Sequence, residues 1–93
     1  MYKVKIIVQG HVQGVGFRYF VISVARKMGI LGRCWNNDDG TVGIHAQATS
    51  SAQLHQFVEQ VRKGPSYSPF AKVSYIDTII TSFPDYTDFA IKH

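Results

Sequence analysis

The sequence predicts an α+β sandwich of element order β-α-β-β-α-β, with an antiparallel sheet carrying two helices on one face. Three observations point to it. Val4, Ile6 and Val8 alternate with Lys3, Lys5, Ile7 and Gln9, the period of a half-buried strand. Two later segments change to helical spacing: Phe17, Phe20, Val21, Val24, Ala25 and Met28, then Leu54, Phe57, Val58 and Val61. Between the helices, Asn37-Asp38-Asp39-Gly40 parts two strand-like runs with a hairpin signal, because Asp-Gly suits the positive φ of a tight or bulged turn.

Taken in order, residues 2–9 form the first strand and Gly10 to Arg18 a turn into the first helix. That helix runs from Phe17 to Met28, with Arg26 and Lys27 in its last turn and Gly29 as its stop. Leu31 to Asn37 and Thr41 to Ala48 read as antiparallel neighbours. Ser50 with Gln53 suggests a capping box for the second helix, which Lys63-Gly64-Pro65 ends. Ser66 to Phe70 is a loop, and residues 72–82 give a strand whose imperfect alternation points to a bulge. A Pro84-Asp85 turn precedes a short strand, Asp88 to Lys92, with Phe89 and Ile91 on one face. Two right-handed β-α-β crossovers related by a pseudo-twofold give the ferredoxin-like arrangement.

The 93 residues suit one domain, expected to span 1–93, and 45% apolar composition indicates a folded core. No apolar run approaches the roughly 20 residues of a membrane span, and Met-Tyr-Lys-Val-Lys lacks a signal-peptide apolar region, so a cytoplasmic protein without membrane partner is expected. A net charge of +4 favours anionic ligands, yet the basic residues form no stripe and no nucleic-acid partner is expected. Cys34 stands alone, which excludes an intrachain disulfide. As a nucleophile it lacks the arginine six residues on that a cysteine phosphatase loop needs, and Gly40 stands there instead. A buried strand position is expected for it.

Gly10-His11-Val12-Gln13-Gly14-Val15-Gly16-Phe17-Arg18 is the stretch with the most chemistry in it. Glycines permit positive φ and close approach, and a helix start leaves several N–H groups without intrahelical partners. A phosphate there would meet the N–H groups of Gly14, Val15, Gly16, Phe17 and Arg18 and the positive end of the helix dipole. Arg18 would add a bidentate guanidinium contact. A cation at a helix N-terminus opposes the dipole by about 0.3–1 kcal/mol, a cost that a bound anion relieves. The competing reading of this stretch is a turn that only turns, with Arg18 solvated.

These nine residues resemble the first signature of the acylphosphatases, with His11 and Gly16 at positions where that signature is loose. Gly32-Arg33-Cys34-Trp35-Asn36-Asn37-Asp38-Asp39-Gly40-Thr41-Val42 resembles the second, around the family's catalytic asparagine. The resemblance implies hydrolysis of the carboxyl–phosphate bond of a small-molecule acyl phosphate, releasing a carboxylate and inorganic phosphate. It assigns phosphate binding to Arg18 and the orientation of water to Asn36, and it implies neither metal nor cofactor. The chain departs from the usual pattern at Arg33, Trp35 and Ala48.

Without that resemblance, an asparagine before Asn-Asp-Asp-Gly is most often turn chemistry, and Asn37 in particular reads as a turn residue. His11, His45, His55 and His93 show no metal-ligand spacing. Two other readings stay open at this point. Ferredoxin-like sheets also serve as RNA- and ligand-binding modules, although the aromatic strand motif of RNA recognition is absent. An inactive relative that senses phosphate is the other. A monomer is expected, with an exposed sheet edge as the feature that would permit association.

Overall fold

The computed structural model describes residues 1–66 and 68–93; Tyr67, inside the loop expected at Ser66 to Phe70, lies outside them. The elements are β1 (Tyr2–His11), α1 (Phe17–Met28), β2 (Leu31–Asn36), β3 (Val42–Ala48), α2 (Ser51–Lys63), β4 (Lys72–Ile80) and β5 (Phe89–Ile91). The sheet order is β4-β1-β3-β2-β5. The first four strands pair antiparallel, and β5 adds to β2 in parallel, so the sheet is mixed at that edge.

One face of the sheet carries both helices because the apolar sets coincide there. Ile6 and Val8 of β1, Cys34 of β2 and Val42, Ile44 and Ala46 of β3 are fully buried beneath Phe17, Val21 and Ala25 of α1 and Phe57 and Val61 of α2. Ser50 caps α2 by accepting the Gln53 N–H at 3.1 Å. Gln53 does not close the box; its side-chain amide donates instead to the Met28 carbonyl, tying the end of α1 to the start of α2. No helix among the described residues is long and apolar enough to cross a membrane.

Several strand boundaries move from their expected places, β5 among them, which covers Phe89–Ile91 rather than Asp88 to Lys92. Strand β1 continues through Gly10 and His11, which pair with Val73 and Lys72 across a register shift after Gln9. Ser74 is the extra residue, the bulge expected in this strand, and it lets the ladder continue to the rim. The loop into α1 is therefore shorter than Gly10 to Arg18. The hairpin is correspondingly wider, since β2 stops at Asn36 and β3 starts at Val42. Strand β4 ends at Ile80 rather than 82, where the chain turns across the sheet.

Residues 81–88 then lie over the face opposite the helices, where the sequence suggests only a turn. The Phe83 ring stacks on His45 at 4.3 Å, and Tyr86 Oη stands 3.0 Å from His45 Nδ1. Buried Gln47 holds the Tyr86 backbone twice, donating to its carbonyl at 3.1 Å and accepting its N–H at 2.9 Å. Lys3 pairs with Asp85 at 2.7 Å, and Arg33 with Asp88 at 2.6 Å.

Burial, followed by the charges of Lys5 and Lys92, holds the His45 imidazole below its ordinary value. The unfolded chain therefore takes up a proton near pH 6.5, where folded His45 still refuses it. Stability is fully present above that pH and declines as pH falls through it, until folded His45 protonates as well. Denaturant midpoints taken from about pH 7.5 to about pH 5.5 are expected to fall in the parent and to fall less in His45→Gln. Equal slopes would place the titration elsewhere.

Candidate active site

Between β1 and α1, Gly14 has φ 73° and Gly16 φ 78°, while among the described residues only glycines have positive φ. The sign of φ thus alternates along Gly14-Val15-Gly16-Phe17. Such alternation turns successive N–H groups toward one concave side, the geometry of an anion nest. Gly16 is the N-cap of α1, no side chain caps it, and the first turn contains no acidic residue. The first helical bond runs from the Phe20 N–H to the Gly16 carbonyl at 3.1 Å. Among the described residues, no other backbone hydrogen bond outside the strands and helices takes up the N–H groups of Val15 to Tyr19. A cavity of about 180 Å³ opens over them, lined by Val12, Gly14, Gly16, Phe17, Arg18 and Tyr19.

Arg18 is half-buried in the first turn. The ion pairs among the described residues are Lys3–Asp85, Arg33–Asp88 and Arg62–Glu59, so none neutralises it. Its carbonyl accepts a hydrogen bond from the Cys34 thiol at 3.8 Å. Burial pushes that thiol up to about 11, against a smaller opposing pull from the Arg18 charge. Cys34 is therefore a protonated core residue at neutral pH, in keeping with its expected place on a buried strand.

Cys34 also fixes the position of Asn36. Side chains two apart on a strand share a face, so Asn36, the last residue of β2, projects on the side where Cys34 meets α1. Asn36 is exposed. The turn chemistry belongs to its neighbours. Asn37 accepts from Trp35 Nε1 at 2.9 Å and donates to Thr41 Oγ1 at 3.0 Å, and Asp39 accepts from the Thr41 hydroxyl at 2.6 Å. Asn37 is thus the turn residue the sequence suggests, and Asn36 carries none of these bonds.

A residue that sequence reasoning passed over joins the two halves. Gln13 Nε2 donates to the Asn37 carbonyl at 2.8 Å and to the Thr41 carbonyl at 2.9 Å. The loop that opens α1 is thereby bolted to the hairpin that follows Asn36. A lone glutamine between glycines gives no sign of such reach in one sequence, because its partners lie 24 and 28 residues away.

A family model described as Acylphosphatase matches residues 4–91. The chain belongs to the acylphosphatase family. It is 57% identical to an acylphosphatase of Lactococcus lactis over the whole of both chains. With an acylphosphatase of Thermotoga maritima it shares 45% identity over all of this chain and 99% of that one. The crystal structure of acylphosphatase from Bacillus subtilis superposes with a TM-score of 0.89 at 40% identity, covering both chains completely. The activity that accompanies membership is hydrolysis of acyl phosphates, and the ferredoxin-like fold is the family's.

Two of the three departures from the acylphosphatase pattern point away from Asn36. Arg33 and Trp35 alternate with it and project on the opposite face, where Arg33 pairs with Asp88 and its guanidinium lies 4.9 Å from the Tyr86 ring centre. Trp35 meets His45 edge-on at 4.9 Å and reaches the site only by bracing Asn37. Ala48 is buried opposite Tyr2 at the far end of β3.

Proposed function

We propose that the nest of Gly14, Val15, Gly16, Phe17 and Arg18 holds the phosphoryl group of an acyl phosphate, and that Asn36 holds the water that attacks it. The observation behind this reading is the open cavity over unpaired N–H groups, with an unneutralised guanidinium at its wall and a free amide on the adjoining strand. The Arg18 guanidinium and the N–H groups spread charge from the phosphoryl oxygens, which is most of what phosphoryl transfer asks of a protein. The Asn36 amide accepts from water and donates without titrating, so it orients the nucleophile over a wide pH range.

The water oxygen forms its bond to phosphorus as the bond from phosphorus to the acyl oxygen breaks. The carboxylate leaves with the electron pair. The water proton passes to a phosphoryl oxygen, giving inorganic phosphate. Because the leaving group is a stable carboxylate, neither a strong general acid nor a metal is needed, and no cofactor enters. The active form is a cytosolic monomer of one domain, since every group named comes from one chain. An RNA-binding reading loses ground because residues 81–88 occupy the sheet face that such modules use.

The test is benzoyl phosphate hydrolysis followed by ultraviolet absorbance, with and without chelator. Equal, fast turnover in both, inhibited competitively by inorganic phosphate, is the expected outcome. Turnover abolished by chelator would overturn the metal-free scheme.

A further inference from the structure

In-line displacement fixes where the acyl group lies. The attacking and leaving oxygens stand on opposite sides of phosphorus. With Asn36 at the end of β2 holding the water on the sheet side, as proposed above, the departing carboxylate would point away from the sheet, toward the outward side of the first turn of α1. At about 100° per residue, the buried stripe of Phe17, Phe20, Val21 and Ala25 puts position 19 on the opposite side of the helix. Tyr19 occupies it. Its side chain is 70% exposed, and it lines the same cavity as Arg18. Other exposed apolar side chains, Met1, Tyr2 and Ile80, line a separate cavity with Lys3 and Ser51.

We propose that Tyr19 is a specificity-determining residue whose ring forms the acyl subsite and favours acyl phosphates with an aromatic acyl group. The inference rests on the phosphate-cradle reading above. An aromatic acyl group is flat, covers the ring face and excludes water from it, whereas an acetyl group is too small to do so. Aromatic rings gain from offset or edge contact beyond the area they bury. The hydroxyl is not required for this, so phenylalanine suffices.

The experiment compares kcat/KM for benzoyl phosphate and acetyl phosphate in the parent, Tyr19→Ala, Tyr19→Phe and Arg18→Ala. The benzoyl-to-acetyl ratio is expected to fall about fivefold in Tyr19→Ala, the size that one aromatic contact carries, and to stay at the parent value in Tyr19→Phe. Arg18→Ala lowers both substrates together. An unchanged ratio in Tyr19→Ala, with both substrates turned over by the parent, would overturn the inference and leave the cradle standing. Full turnover in Arg18→Ala would overturn the cradle, and the subsite with it.

Discussion

Arg18→Ala is expected to lower kcat/KM for an acyl phosphate about a thousandfold, the upper end of what one oxyanion donor supplies, and to abolish competitive inhibition by inorganic phosphate. Both effects come from one cause. The guanidinium is the cation at the wall of the cavity and no carboxylate among the described residues neutralises it. Its loss therefore weakens the ground-state anion and the more demanding transition state together. The stability effect has the opposite sign. Arg18 stands in the first turn of a helix with no acidic residue there, so removing its charge relieves about 0.3–1 kcal/mol of repulsion from the dipole. A variant that is inactive, phosphate-blind and at least as stable as the parent is the predicted signature. Loss of activity with a lower melting temperature would make Arg18 a structural residue.

Asn36→Ala has a different signature. Here kcat is expected to fall by about a hundredfold or more while the inhibition constant for inorganic phosphate stays within about twofold, because a group that orients water acts mainly in the transition state. Asn36 is exposed at a strand end, so stability should change by no more than about 0.5 kcal/mol. Asn37→Ala is the control, one residue away. It removes the partners of Trp35 Nε1 and Thr41 Oγ1 and should cost about 1–2 kcal/mol of stability. Steady-state kinetics and denaturant titration on the pair separate catalyst from turn residue. An Asn36→Ala variant that melts early and keeps its kcat would reverse the assignment.

Most of the fold was legible because its signals are local. Alternation in Val4, Ile6 and Val8, the helical stripe from Phe17 to Met28 and the Ser50 cap each depend on neighbours within a few residues. The bulge at Ser74 was visible for the same reason. The two signatures were legible as resemblance, and the Cys34 thiol of the second donates to the Arg18 carbonyl of the first. What stayed hidden is long-range. No local rule says that residues 81–88 will stack Phe83 on His45, or that Gln13 will reach Asn37 and Thr41. Strand limits slipped where side chains compete with the ladder, as at Thr41, whose hydroxyl and N–H both serve Asp39.

The Gln13 bridge has a consequence for how the rate is achieved. On the proposed reading, the anion receptor and the water-holding amide sit on segments far apart in sequence, so their separation would otherwise fluctuate with two independent backbones. A forked amide donating to two carbonyls removes that relative freedom once, when the chain folds. Each turnover would then begin with the two receiving groups already held in register, and only the freedom of the substrate and the water remains to be lost. On that reading the protein is a fixed template, the cost of ordering its two receiving segments having been met when the chain folded.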